Sequence, residues 1–543
     1  MARTPLLHSI QRRIAQLRSE NVAPMLSVHS SSRRQFVFGA LAATVLAATP
    51  KWAHAGKKQP SIAIVGAGMA GLNCALELSD RGIHSTVYEA THRVGGRMFS
   101  NTRYWRDGQT SEWCGELIDT GHKTVRHLAH RFGLALDDLL AAQPPGSEDT
   151  YYFNNAYYSQ AVARADFLQL VEVVDADLSA AGYPTRFDSY TAAGHALDHM
   201  SIYDWIESRI PNGHRSPLGQ LLDVAYNIEY GAETIDQSSL NLLYLLAYQA
   251  SPDEFAVFGE SDERFRIRGG NEQLPRAIAK HLGTNAVRCR HRLLGIEQTS
   301  SGPCRLKFKT GDGATCDVVA DVVVLALPFS VLRELDYSKA RFDARKHQAI
   351  QQLGRGRSGK LQLQFSSRVW NRAGVWPGIG TGSSFSDTGF QSSWDVSRSQ
   401  AGDSGVLVLF SGGDTSESMA TRRPFATVAD PMVALDAARG LQQAERVFPG
   451  LQSAWNGLAT QSLPHLCPNF RASYAYYRVG QYTAFGGYEA APQGRIVFCG
   501  DHTSQDFQGY MEGAASEGAR AAKDVAKQLA RIGWGQFVEM TGS

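Results

Sequence analysis

The sequence predicts an α/β protein whose nucleus is a Rossmann-like dinucleotide-binding domain, and three observations carry that prediction. A short apolar run, Ser61-Ile62-Ala63-Ile64-Val65, leads directly into Gly66-Ala67-Gly68-Met69-Ala70-Gly71 and then a helically spaced segment, Leu72 to Leu78. His84-Ser85-Thr86-Val87-Tyr88-Glu89 reads as a second strand that ends in an acid. Far downstream, Gly494-Arg495-Ile496-Val497-Phe498-Cys499-Gly500-Asp501 repeats strand, turn and acid, and a helix runs from Gly509-Tyr510-Met511-Glu512-Gly513-Ala514 through Arg520.

Each element of the first unit has a mechanical task. An unbroken apolar run suits a strand of a parallel sheet buried on both faces. Gly66 permits the tight turn, Gly68 lets the backbone approach a pyrophosphate, and Gly71 allows close packing of helix on strand. The helix N-terminus then faces the phosphate charge. Glu89 stands 18 residues beyond Gly71, placed to accept hydrogen bonds from the adenosine ribose. A GxGxxG alone is weak, but strand, glycines, helix, strand and acid all occur here in order.

The acid leaves NAD and FAD both open, and two further segments separate them. Arg93-Val94-Gly95-Gly96-Arg97 supplies a second glycine turn flanked by guanidinium groups near the same phosphates. The late return of the chain at 494–520 is needed by an extended flavin and not by a nicotinamide nucleotide. Asp501 can hydrogen-bond a ribitol, and the helix start at Met511 can face a pyrimidine edge. The expected cofactor is FAD.

Composition excludes other classes. With 543 residues the chain is long enough for two interleaved domains, and 43% hydrophobic with 20% charged residues describes a globular protein. Residues 1–55 hold seven Lys/Arg against Glu20, which leaves 47 basic and 51 acidic residues in the remainder. That balance provides no basic field for nucleic acid. Seven cysteines make no disulfide framework or zinc spacing, Cys74 and Cys499 read as core residues, and no metal is expected.

Ahead of the first strand, Ser31-Ser32-Arg33-Arg34-Gln35-Phe36-Val37 precedes a weakly apolar run, Phe38 to Ala48, and then Ala53-His54-Ala55. Paired arginines, a short apolar stretch and an A-x-A site resemble a twin-arginine signal peptide over residues 1–55. A run of this length is too short to span a bilayer. Export in the folded state, to the periplasm or beyond, suits a protein that takes up its cofactor before translocation; Met25 is an alternative start.

Taken together, these motifs resemble the flavin amine-oxidase family, whose members include monoamine, polyamine and L-amino-acid oxidases. The resemblance runs from about Ile62 to Leu529 and includes Arg268-Gly269-Gly270-Asn271-Glu272-Gln273-Leu274-Pro275 and Asp321-Val322-Val323-Val324-Leu325-Ala326-Leu327-Pro328. It implies an FAD-binding domain over 60–130, 264–345 and 468–533, interleaved with an α+β substrate domain, a mixed sheet plus a helical lobe, over 131–263 and 346–467. Helical apolar spacing over 159–182, 201–210, 215–227 and 236–250 fits that lobe, and the Gly/Ser-rich stretch 373–404 reads as loops and short strands. Met69, Ala70, Ala90, Gly96, Arg97, Leu293 and Gly500 join the glycines, Glu89, Asp501, Tyr510 and Met511 as implied FAD contacts.

The resemblance also implies the residues that carry chemistry. Lys360 opens an alternating strand, Lys360-Leu361-Gln362-Leu363-Gln364-Phe365, upstream of Trp370; in this family such a lysine contacts the flavin N5 through water. Without the resemblance it reads as a solvated strand-end lysine. Tyr474 and Tyr510 match the two rings that flank the amine in monoamine oxidases, where a narrow apolar slot favours the neutral amine. Ser473 stands where monoamine oxidases carry the cysteine that attaches the flavin, so the FAD is expected to be non-covalent.

In L-amino-acid oxidases an arginine that binds the substrate carboxylate lies near the position occupied here by Ile118, in Trp113-Cys114-Gly115-Glu116-Leu117-Ile118-Asp119. Either another arginine holds a carboxylate or the substrate lacks one. Glu116 is open to attracting a cationic amine or to bonding local backbone, and Trp394 is a second candidate on the substrate side. The implied reaction is oxidative deamination of a small-molecule amine or L-amino acid, with molecular oxygen reduced to hydrogen peroxide. A dehydrogenase or desaturase using a quinone or protein acceptor, and a flavin-binding protein with an idle site, remain as alternatives. Partners are the substrate, oxygen and the twin-arginine machinery, with a homodimer left open.

Overall fold

The computed structural model describes residues 59–251, 254–300 and 302–534. The predicted export signal lies outside them. Five parallel strands form one sheet in the order 496–498, 322–325, 62–65, 86–88, 287–288. Its central strands, Ile62–Val65 and Val322–Leu325, are buried at every position, as strands covered on both faces must be. Leu72 and Leu76 of helix Met69–Asp80 and Ala521, Ala522 and Val525 of helix Met511–Leu529 pack on one face. These two helices touch so closely that a Cβ on Gly518 would lie 2.4 Å from the carbonyl of Ala70. The first and last parts of the described chain are thereby packed together.

A four-stranded sheet, 291–298, 304–310, 315–320 and 336–339, adjoins this body. A second large sheet has eight strands in the order 425–427, 455–462, 358–365, 405–412, 392–395, 379–386, 147–153, 156–158, with only the 379–386/147–153 pair parallel. Strand Ser358–Phe365 lies inside it and is buried throughout. Leu361, Leu363 and Phe365 pack with Trp370 and with Val433, Ala437 and Ala444 of helix Pro431–Val447. The opposite face is also buried: the Gln362 amide donates to the carbonyl of Glu112, and the Gln364 amide donates to Arg106 and Gln109. This polar face meets the 106–116 segment, which fixes the start of the strand beside the first body.

The helical lobe contains Gln160–Leu168, Val171–Ala181, Ala192–Asp198, Ile202–Arg209, Pro217–Tyr230 and Ser239–Leu246. Five of the six begin at a Ser or Thr whose hydroxyl accepts a backbone N–H of the first turn, the cap favoured by orphaned helix-end donors. The helical spacing over 159–182 is realised as two helices. Gln169 and Leu170 bond back three residues, to Asp166 and Phe167, which breaks the ladder and turns Phe167, Leu170 and Val174 into one core. The Gly/Ser-rich stretch contributes two strands, Ile379–Ser386 and Ser392–Asp395, to the large sheet.

Candidate active site

Both bodies and the lobe line one cavity of about 540 Å³. Gly66, Gly68, Met69, Ala70, Glu89, Ala90, Gly96, Arg97, Leu293, Gly500, Asp501, Tyr510 and Met511 are in its wall, together with Lys360, Glu116, Trp394 and Tyr474. Of the residues singled out in the sequence, Gly71 is set back from it.

The nucleotide-type side is built by backbone shape. Gly66 adopts φ +105°, and a Cβ there would meet the Ala326 carbonyl at 2.6 Å, so the turn requires glycine. A Cβ on Gly71 would lie 2.0 Å from the Gly66 carbonyl, which explains its position behind the wall as a packing residue. Gly68 has open space where a Cβ would go. The second glycine turn closes on the first: Gly95 donates to Ala67 at 2.8 Å, and a Cβ on Gly96 would sit 3.3 Å from the Gly68 Cα.

The two arginines of the second turn diverge. Arg97 reaches across to the late segments, donating to the Ser473 carbonyl at 2.7 Å and pairing with Asp501. Arg93 folds over its own loop, donating to Val94 and Gly96 and stacking 3.9 Å above Phe99, so it is absent from the cavity wall. Glu89 accepts the N–H groups of Ala67 and Thr91 at 2.9 and 2.8 Å, one on each oxygen. Asp501 uses Oδ1 on Arg97, while its Oδ2 is buried without a hydrogen-bond partner among the described residues.

The opposite side is built by side-chain pairs between distant elements. Lys360 Nζ donates to the Cys114 carbonyl and to Glu116 Oε2, both at 2.8 Å, and lies 5.2 Å from the centre of the Trp394 ring. Trp394 Nε1 donates to the other Glu116 oxygen at 3.1 Å. Burial pushes the Glu116 carboxyl up, but Lys360 and Arg266 outweigh it and hold the group below the usual carboxylate range. In the folded chain the Glu116 carboxylate bonds the Lys360 and Trp394 side chains rather than local backbone. Two of the three Lys360 N–H groups are used, leaving one.

The two tyrosines hang from one helix. Tyr474 donates to the Ile228 carbonyl at 2.8 Å and accepts from Ser358 at 3.1 Å, while Tyr510 donates to the Glu229 carboxylate. Ile228 and Glu229 are consecutive in helix Pro217–Tyr230, so one helix end sets both rings. Burial pushes both phenols far up, which keeps them neutral. Ser473, before Tyr474, has its hydroxyl 3.1 Å from that of Ser358.

The RGGNEQLP motif proves to be a brace. Asn271 donates to the carbonyls of Gly115 and Glu116 at 3.1 and 2.7 Å, and its backbone N–H donates to Glu112 at 2.8 Å. Ile118 is fully buried, bridges Phe265 through its backbone and packs in the core of the first body. Trp370 is likewise a core residue, donating to Asp395. Sequence reasoning missed Glu229, Glu263 and Arg398, all in the cavity wall. Glu263 has a left-handed φ of +43°, uncommon for a residue with a Cβ. No local signal marks Glu229, because its partner Tyr510 is 281 positions away.

Comparison with known proteins follows the same lines. The model of the flavin containing amine oxidoreductase family matches residues 69–526. An L-amino-acid oxidase of Pseudechis australis is 25% identical over 492 residues, covering 86% of each chain. A nicotine dehydrogenase of Pseudomonas putida is 24% identical over 482 residues, covering 86% of this chain and 88% of that one. Among solved structures, a putrescine oxidase bound to putrescine superposes with a TM-score of 0.72 at 20% identity, over 87% of this chain and 99% of that one. The cyclohexylamine oxidase of Brevibacterium oxydans IH-35A gives 0.71 at 19% identity, over 87% and 100%. The cofactor is FAD, and the residues present fit it: the open face of Gly68 would admit a phosphate, and the Asp501 Oδ2, without a partner among the described residues, would accept from a ribitol hydroxyl.

Proposed function

The chain belongs to the family of flavin-containing amine oxidoreductases, and from that premise we propose that it is an oxidase that deaminates a small-molecule amine or L-amino acid, releasing ammonia and hydrogen peroxide. The observation that carries this reading is the pair of tyrosines held by consecutive residues of one helix, lining the same cavity as Lys360. When bound, FAD would supply the redox chemistry, accepting a hydride, one proton with two electrons, from the carbon that bears the nitrogen.

The protein's share is orientation and electrostatics. The rings of Tyr474 and Tyr510 form apolar walls whose hydroxyls are already committed, so the slot favours an uncharged amine with a free lone pair. Lys360 is buried and keeps one N–H free, suited to orient a water or to stabilise negative charge that develops in oxygen reduction. Glu116 and the Cys114 carbonyl hold that ammonium in place. Segments 60–130, 264–345 and 468–533 are assigned to the cofactor, and 131–263 with 346–467 to the substrate. Ser473 in the cysteine's place supports non-covalent FAD, which acid precipitation should release into the supernatant.

One observation favours a second reading, transfer to an acceptor other than oxygen: the relatives include nicotine and pseudooxynicotine dehydrogenases. Anaerobic bleaching of the flavin by a panel of L-amino acids, aryl-alkyl amines and polyamines tests deamination. Oxygen consumption with peroxide formation on the bleaching substrate then selects oxidase over dehydrogenase; bleaching without oxygen uptake would sink the oxidase. Export by the twin-arginine route is supported by Arg33-Arg34 and Ala53-His54-Ala55. Retention of an Arg33→Lys/Arg34→Lys protein in the cytoplasm is the expected result.

A further inference from the structure

Arg398 follows strand Ser392–Asp395, is 6% exposed and forms part of the cavity wall. Its Nε donates to the Asp395 carbonyl at 3.0 Å. Its two terminal nitrogens make no hydrogen bond or ion pair within the described residues. Two nearby arginines, Arg266 buried and Arg368 half-buried, behave otherwise. Arg266 spends its terminal nitrogens on the carbonyls of Val396 and Arg398, and Arg368 donates to Ser397 and Gln400. Arg398 is therefore a buried fork with both tines unused.

A guanidinium keeps its charge at any accessible pH, and burying it without a counter-charge is costly. Asp149 and Glu263 line the same cavity, yet neither comes within ion-pair distance of Arg398, and burial pushes both carboxyls up, toward the neutral form. The planar fork matches a carboxylate in two parallel hydrogen bonds. Trp394, four residues earlier, touches the Lys360–Glu116 pair, so one short segment runs from the reaction side of the cavity to the free fork.

We propose that Arg398 anchors a carboxylate of the substrate, so that the amine oxidised here belongs to a molecule with an acid group, as in an amino acid. The assignment rests on the amine-oxidising reading of this cavity. It follows from the unspent guanidinium and makes Arg398 a specificity residue that touches the substrate away from the reacting carbon.

The test uses FAD-loaded protein and two unreactive probes of one shape, 3-phenylpropanoate and 3-phenylpropanamide, followed by perturbation of the flavin spectrum and by titration calorimetry. The acid is expected to bind at least about tenfold more tightly than the amide, and Arg398→Gln to weaken the acid about 100-fold while leaving the amide within about threefold. Arg398→Lys should fall between, since it keeps the charge without the fork. Equal binding of acid and amide, no binding of the acid, or an unchanged affinity in Arg398→Gln overturns the proposal. If Arg398→Gln fails to hold FAD, the wild-type pair of probes and the lysine variant decide. Bleaching by L-phenylalanine and 2-phenylethylamine separates the two readings. An amine that bleaches as readily as the amino acid, with no preference for the acid probe, removes the anchor and leaves amine oxidation standing. Arginine-dependent binding without bleaching does the reverse.

Discussion

The two walls of the cavity are made in different ways. The cofactor wall is a matter of backbone: two glycine turns in contact, a sharp strand end and two helix starts, with few side-chain interactions reaching over it. The reaction wall is a matter of pairs between distant segments, Lys360 with the Glu116 carboxylate, Tyr510 with the Glu229 carboxylate and Tyr474 with the Ile228 carbonyl, about 240–280 positions apart. A wall of backbone fails all at once when a Cβ intrudes. A wall of pairs fails one function at a time.

The largest expected effect breaks the first wall. Gly71→Val drives a side chain into the Gly66 carbonyl, so soluble, yellow protein should be lost, at a cost on the order of 4 kcal/mol or more. The flavin-to-protein absorbance ratio and thermal unfolding check this; a normal yellow protein would show that the turn can move. Lys360→Met should leave the cofactor wall intact, with FAD retained, but slow turnover or reoxidation about 100-fold. It also strands Glu116 as a buried, unpaired charge, costing about 3–5 kcal/mol, most of which Lys360→Met/Glu116→Gln should restore. Unchanged reoxidation in a stopped-flow trace removes Lys360 from the chemistry.

Glu112 sits at the joint between the walls, accepting from Asn271 and Ser100, and burial pushes its carboxyl up to about 7. The folded protein thus keeps a proton that the unfolded chain releases above the usual carboxylate value. That contribution is present in full below about pH 4.5 and is lost as pH rises through about 7, a change of roughly 3 kcal/mol. Glu112→Gln should flatten this part of the stability profile in denaturant titrations across that interval; an equal slope in both proteins refutes the assignment. The smallest effect is Tyr474→Phe, which keeps the ring and loses the bond to Ile228. It should cost about 1 kcal/mol and change turnover less than about threefold if the slot works by shape.

Much of the first wall was legible because its geometry dictates residue types locally. A turn at φ +105° demands glycine wherever the rest of the chain goes, and a strand buried on both faces must be apolar. Arg268–Pro275 was visible as a motif, but its purpose was not, since Asn271 acts on Gly115 and Glu116 more than 150 positions earlier. The sequence likewise offered two arginines to the phosphates, and only packing against Phe99 shows that Arg93 turns away.

By itself, then, the sequence determined a strand–glycine–helix unit, its acid and a late return to the same sheet, because those features are written in residues adjacent along the chain. The tertiary structure alone decided that Lys360 faces Glu116, that one helix end holds both tyrosines, and that Arg398 keeps its fork free among the described residues. Those outcomes depend on which side chains are left with a partner once distant segments are packed together, and a count of partners exists only in the folded molecule.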